Sequence, residues 1–89
     1  MLIAPILGMA CISLKGHDKG DLYLVIKIDS PEFVFVVNGM SKKMDNPKKK
    51  RVKHLKLLTN LLDEKQLAKL LDGKLVDNEV HRWLLSMKN

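Results

Sequence analysis

Eighty-nine residues, 46% of them apolar and 4% aromatic, carry a net charge of +6; a chain this short makes one small domain with a short appendage and excludes a second globular domain, since it buries well under about three-quarters of its unfolded surface. Cys11 is the single cysteine, which excludes an internal disulfide and, even with His17, His54 and His81, leaves too few thiols for a structural zinc site. The excess positive charge is local: Met40 to Lys56 holds seven Lys and one Arg against the lone Asp45, a segment charge of +7, whereas residues 1–39 sum to −1 and residues 57–89 to 0.

In chain order, Met1-Leu2-Ile3-Ala4-Pro5-Ile6-Leu7-Gly8-Met9-Ala10-Cys11 is apolar and ends in Ala-Cys, like a bacterial lipoprotein cleavage site. No basic segment precedes the apolar run, Pro5 interrupts it, and Gly8 stands where such sites use a large aliphatic residue. At roughly a dozen residues it is also too short to span a bilayer as a helix. The expectation is a cytoplasmic protein with no membrane association. Met9 to Leu14 follows as a first strand, ended by Lys15-Gly16 and the turn Gly16-His17-Asp18-Lys19-Gly20. Asp21 to Asp29 alternates, with Leu22, Leu24, Ile26 and Ile28 on a predicted core face and Tyr23, Val25 and Lys27 opposite. After Ser30-Pro31-Glu32, the β-branched and aromatic run Phe33-Val34-Phe35-Val36-Val37 reads as a central strand. Asn38-Gly39 is a strong signal for a tight type I′ turn and predicts that Met40 to Met44 folds back antiparallel. Asn46-Pro47 breaks that strand, and Val52 to Leu55 is placed as a last short one. Five short strands in fewer than fifty residues suggest a small barrel over residues 1–57.

Beyond Leu55 the period becomes helical. Leu61, Leu62, Leu67, Leu70 and Leu71 mark one amphipathic helix, with Asp63 and Gln66 spaced as a capping pair and Gly73 placed to end it. Asp77 is placed to cap a second helix, on which Val80, Trp83, Leu84 and Met87 form a stripe. Residues 58–89 thus form a helical extension, making the whole mainly β and α+β overall. Helices this short dock on the barrel, on each other or on a partner.

The chemistry concentrates in Pro47-Lys48-Lys49-Lys50-Arg51-Val52-Lys53-His54-Leu55. A clustered field of one sign concentrates a polyanion and releases its counterions on binding, so nucleic acid leads the partners. Gly8-Met9-Ala10-Cys11-Ile12-Ser13, the Gly16 to Gly20 turn, Val37-Asn38-Gly39 and Asn46 to Leu55, in that order and spacing, resemble the bacterial KOW-domain RNA-binding proteins, a family related to KOW-type large-subunit ribosomal proteins. Asp77-Asn78-Glu79-Val80-His81-Arg82 is also similar. The resemblance implies an SH3-like barrel that binds structured RNA, ribosomal or other stable RNA, as a translation-related protein without enzymatic activity or cofactor. His17 stands where the family often has Arg, and Asp45 puts a negative charge inside the basic region; both would weaken phosphate contact.

The residues expected to contact RNA are Lys48, Lys49, Lys50, Arg51 and Lys53, extended by Lys42 and Lys43, with His17 and Lys19 approaching from the first turn together with its backbone N–H groups. Base readout finds less support, since of Tyr23, Phe33, Phe35 and Trp83 most sit in patterns that read as core. Plainer readings stand beside these: the basic run as an edge-protecting solvated segment or an import motif, the first turn as simple hairpin geometry with ordinary charged residues, His54 as structural, His81 as surface, Cys11 as a small core residue. No nucleophile motif, phosphate loop, paired carboxylates or metal-ligand spacing points to catalysis. The alternative function is a protein-interaction module in which Leu67, Leu70, Leu71, Val80, Trp83 and Leu84 of the helices meet a partner.

Overall fold

The computed structural model describes residues 4–87; Met1 to Ile3, the start of the apolar opening stretch, lie outside the described residues. Five strands, β1 (Met9–Ser13), β2 (Leu22–Ser30), β3 (Phe33–Val37), β4 (Lys48–Arg51) and β5 (Leu55–Leu61), precede two helices, α1 (Glu64–Leu71) and α2 (Asp77–Leu85). They form one antiparallel sheet in the order β4-β3-β2-β1-β5. A single 3₁₀ turn, Val52–His54, joins β4 to β5. The architecture is mainly β with two C-terminal helices, consistent with an SH3-like barrel. Among the described residues no helix is long and apolar enough to cross a membrane.

Both faces of the sheet are buried, which alters the expected role of β2. One core, the barrel interior, joins Cys11, Tyr23, Val25, Val34, Val36 and Leu55. The other joins Leu24 and Val37 to Leu62, Leu70, Leu75, Val80 and Leu84 of the helical segment. Leu24 therefore lies under the helices, while Tyr23 and Val25, predicted to face away from the core, are fully buried inside the barrel. A register shift between Val25 and Lys27 then moves the alternation by one residue. Because one inserted residue exchanges the faces of everything after it, Ile28 leaves the Leu24 face and falls opposite Val34; near the end of β2 it is 40% exposed. Lys27 falls opposite Phe35.

The segment after β3 departs most from the sequence pattern. Met40 to Met44 is a loop, and the strand that pairs with β3 is the basic run itself, in the register Phe33↔Arg51, Val34↔Lys50, Phe35↔Lys49 and Val36↔Lys48. A type I′ turn needs positive φ at both central residues; here Gly39 has φ 77° and Asn38 does not share it. The Asn38 side chain instead organises a wider loop, its Oδ1 accepting from the N–H groups of Met40 and Lys42, each at 2.9 Å. Asparagine favours such side-chain-to-backbone closure because its amide imitates a peptide group. The loop is pinned to α2: Met44 N–H donates to Asp77 Oδ1 at 2.7 Å. A Cβ on Gly39 would collide with Asp77 O and stand 2.9 Å from His81 N. Glycine is thus required there twice, for φ and for space.

The last strand also lies later than expected. Val52 to His54 is the 3₁₀ turn, and β5 runs from Leu55 through Leu61, past the division expected at residue 57. α1 has the expected capping pair, Asp63 accepting from Gln66 N–H at 2.8 Å and the Gln66 side chain returning to the Asp63 N–H, but it starts at Glu64, so Leu61 belongs to β5 and Leu62 precedes the helix. α2 differs. Its N-cap is Val76, and Asp77 sits in the first turn, its carboxylate committed to Met44 rather than to the helix. Helices of eight and nine residues do not persist alone in water; Leu70, Val80 and Leu84 hold them by burial on the sheet, at about 1.5–3 kcal/mol for each fully buried side chain.

Candidate nucleic-acid interface

The basic cluster is built on a strand, so its side chains alternate between two faces. Lys48 and Lys50 point to the first turn; Lys49 and Arg51 point the other way.

On the first face Asp18 is the centre. Lys50 Nζ lies 2.8 Å from Asp18 Oδ2 and donates to Oδ1 at 2.9 Å and to Ser13 Oγ at 3.2 Å. Tyr23 Oη donates to Asp18 Oδ2 at 2.7 Å, Ser13 Oγ donates to Oδ1 at 2.8 Å, and Lys48 Nζ stands 3.8 Å from Oδ2. Burial by itself raises the Asp18 carboxyl, but the hydrogen bonds from Lys50, Tyr23 and Ser13 and the Lys50 charge outweigh it and hold the group well below the usual carboxylate range. Burial and the bond to Asp18 push the Tyr23 phenol up in turn. The Lys50 side chain is only 10% exposed, so its charge is answered inside the fold. This polar network clamps the turn, β1, β2 and β4 together at one end of the barrel, where a buried ion is tolerated only when its hydrogen bonds are met.

A shallow cleft of about 360 Å³ opens on this network and brings His17, Lys42 and Lys48 to the same place as Asp18 and Lys50. Lys19 lies on the same turn, exposed. The turn's N–H groups at Lys19, Gly20 and Asp21 donate to Gly16 O, Ser13 O and Asp18 O, so these three do not project toward a ligand.

On the second face Lys49 and Arg51 lie over the Phe33 ring, Lys49 Nζ at 4.8 Å and Arg51 Cζ at 4.9 Å from its centroid. Lys27 Nζ is 5.6 Å from the Phe35 centroid, and Lys49 forms an exposed ion pair with Asp29 at 3.3 Å. Phe33 and Phe35 follow the parity of Val37, but the helices cover only Val37, leaving the two rings half-buried. Lys43 and Lys53 are exposed on the loop and on the 3₁₀ turn. His54, next to Lys53, is lowered by desolvation and then by the charges of Lys15, Lys53, Arg51 and Lys50, a sign of the positive field at this edge.

The expected contact residues therefore divide. His17, Lys42, Lys48 and Lys50 gather around Asp18; Lys49 and Arg51 share an aromatic face with Lys27. Sequence reasoning passed over two features. Asp18 reads as an ordinary turn charge, although its spacing of five residues from both Ser13 and Tyr23 is what a tight turn between antiparallel strands brings together. Phe33 and Phe35 read as core, although their parity opposite Val34 and Val36 separates them. No protein-family model and no curated protein matches this chain.

Proposed function

We propose that this is a non-catalytic RNA-binding barrel of the KOW type, contacting structured RNA, ribosomal or other stable RNA, through a basic surface. The observation that carries the reading is the outward pair on β4: Lys49 and Arg51, steadied on Phe33, within the segment that holds a local charge of +7. Lys42, Lys43, Lys48 and Lys53 extend the field, and Lys27 joins it from β2. Lys50 serves the barrel instead, since its ammonium is bound to Asp18.

Guanidinium and ammonium groups held on a strand at fixed spacing suit a phosphate backbone, and such contacts position a protein on RNA without reading its sequence. The rival reading, a protein partner at the helices, loses half of its expected contacts, because Leu70, Val80 and Leu84 are buried on the sheet; Leu71, 65% exposed, and the half-buried Leu67 and Trp83 are what it keeps. Fluorescence anisotropy with a labelled RNA hairpin across a salt series tests the proposal, with an acidic polypeptide as competitor. The wild type is expected to show a log–log salt slope of about three or more, at about 0.7–0.9 per phosphate contact. A flat salt dependence, or equal competition by the polypeptide, would contradict it.

A further inference from the structure

We propose that the cleft beside Phe35 takes one unpaired nucleobase of single-stranded or looped RNA, with Lys27 and Lys49 on the phosphates that flank it. The inference rests on the RNA-binding reading and specifies which part of the RNA the outer face receives. The cleft has a volume of about 330 Å³ and is lined by Ile26, Lys27, Phe35, Met44, Pro47 and Leu70. Its walls are an aromatic ring, two aliphatic side chains, a thioether and a proline, and its one charged group is a cation. In the sheet register Phe35 lies between Lys27 of β2 and Lys49 of β4, so a ring-lined slot is bracketed by positive charge on both neighbouring strands. Arg51 and Phe33 continue the same face one pair further along β4.

A planar heterocycle on a polyanionic chain fits this combination: the base stacks on the Phe35 ring and the backbone meets the lysines. Lys27 now lies over that ring, a weak contact for an exposed side chain, and its ammonium can move to a phosphate as the base takes its place. No hydrogen-bonding side chain lines the cleft apart from Lys27, so binding should be tolerant of base identity and should follow stacking strength. Bases paired within a helix cannot enter. The cleft therefore favours loops, bulges and single strands over duplex.

The test uses the full chain, a fluorescein-labelled single-stranded RNA decamer, the duplex of that decamer with its complement, and the decamer with abasic central nucleotides. Wild type, Phe35→Leu and Lys49→Glu/Arg51→Glu are titrated at one low salt concentration, with folding checked by thermal melting. Phe35→Leu is expected to lose about tenfold on the single strand and less than about twofold on the duplex. Wild type should lose a similar factor on the abasic decamer, to which Phe35→Leu adds no further loss. Equal affinity of wild type for intact and abasic decamers overturns the proposal without depending on the stability of any variant. So does a Phe35→Leu effect that is absent, or the same on strand and duplex. If charge reversal still abolishes binding in those cases, the basic-surface reading stands and the base cleft alone falls; if wild type binds none of the RNAs, both fall.

Discussion

Within β4, Lys48 and Lys50 turn toward Asp18, whereas Lys49 and Arg51 lie on the outer face against Phe33. All four are cations in one unbroken run, and only the parity of their positions separates them. Lys50 is 10% exposed and bound to a carboxylate; Lys49 is 50% exposed. A run of like charges is thus not one ligand surface, because a strand sends alternate residues to opposite sides and a half-buried acid, Asp18, takes Lys50 into the structure while Lys48 beside it stays 41% exposed. The same segment supplies the clamp that holds the barrel end and the cations offered to solvent.

The largest expected effect separates the two faces by affinity. Lys49→Glu/Arg51→Glu should weaken RNA binding by at least about a hundredfold, the lower bound for two charge-assisted contacts at about 1.5–3 kcal/mol each. Its chemical denaturation midpoint should fall less than that of an Asp18 variant, since the Lys49 pair with Asp29 is exposed and worth about 0–1 kcal/mol, and the two contacts on Phe33 add about 0.5–1 kcal/mol each. Next, Asp18→Ala leaves Lys50 unpaired in the barrel end. It should cost about 3 kcal/mol in urea unfolding, while folded protein, assayed in the cold, keeps RNA affinity within about threefold of wild type. A loss of affinity as large as that of the outer pair would break the division.

Acid sharpens the comparison further. The folded-state pKa of Asp18 is depressed, so its contribution is fully present above the unfolded value of about 3.9 and is lost as pH falls below that toward the folded value. Melting temperature should therefore drop between about pH 5 and pH 2, and drop less for Asp18→Asn, which starts lower at neutral pH. The smallest effect belongs to Lys48→Gln. Its ammonium is 3.8 Å from Asp18 and 41% exposed; stability should fall by less than about 1 kcal/mol, with a salt slope shallower by no more than about one unit.

Much of this organisation was legible in the sequence because local chemistry determined it. The β3 run, the first turn and the Asp63–Gln66 capping box all appear where spacing and propensity put them. What misled was tertiary. Asn38-Gly39 has hairpin chemistry, yet docking of Met44 and Gly39 against α2 opens it into a wide loop and hands the pairing with β3 to the lysine run. The β2 alternation pointed to one core, but helices covering the second face and the shift after Val25 made two. For the candidate site, the cations were readable from charge alone. Their division, the keystone role of Asp18 and the outward rings of Phe33 and Phe35 depend on strand parity in a register that sequence did not supply.

Amide-resolved NMR titration of the isotope-labelled protein with an RNA hairpin tests the division of β4 most directly. The account predicts shifts concentrated at Lys27, Phe33, Phe35, Lys49 and Arg51, with Ser13, Tyr23 and Lys50 nearly unmoved. Shifts centred on the Asp18 network, or on α1 and α2 with the outer face silent, would contradict it.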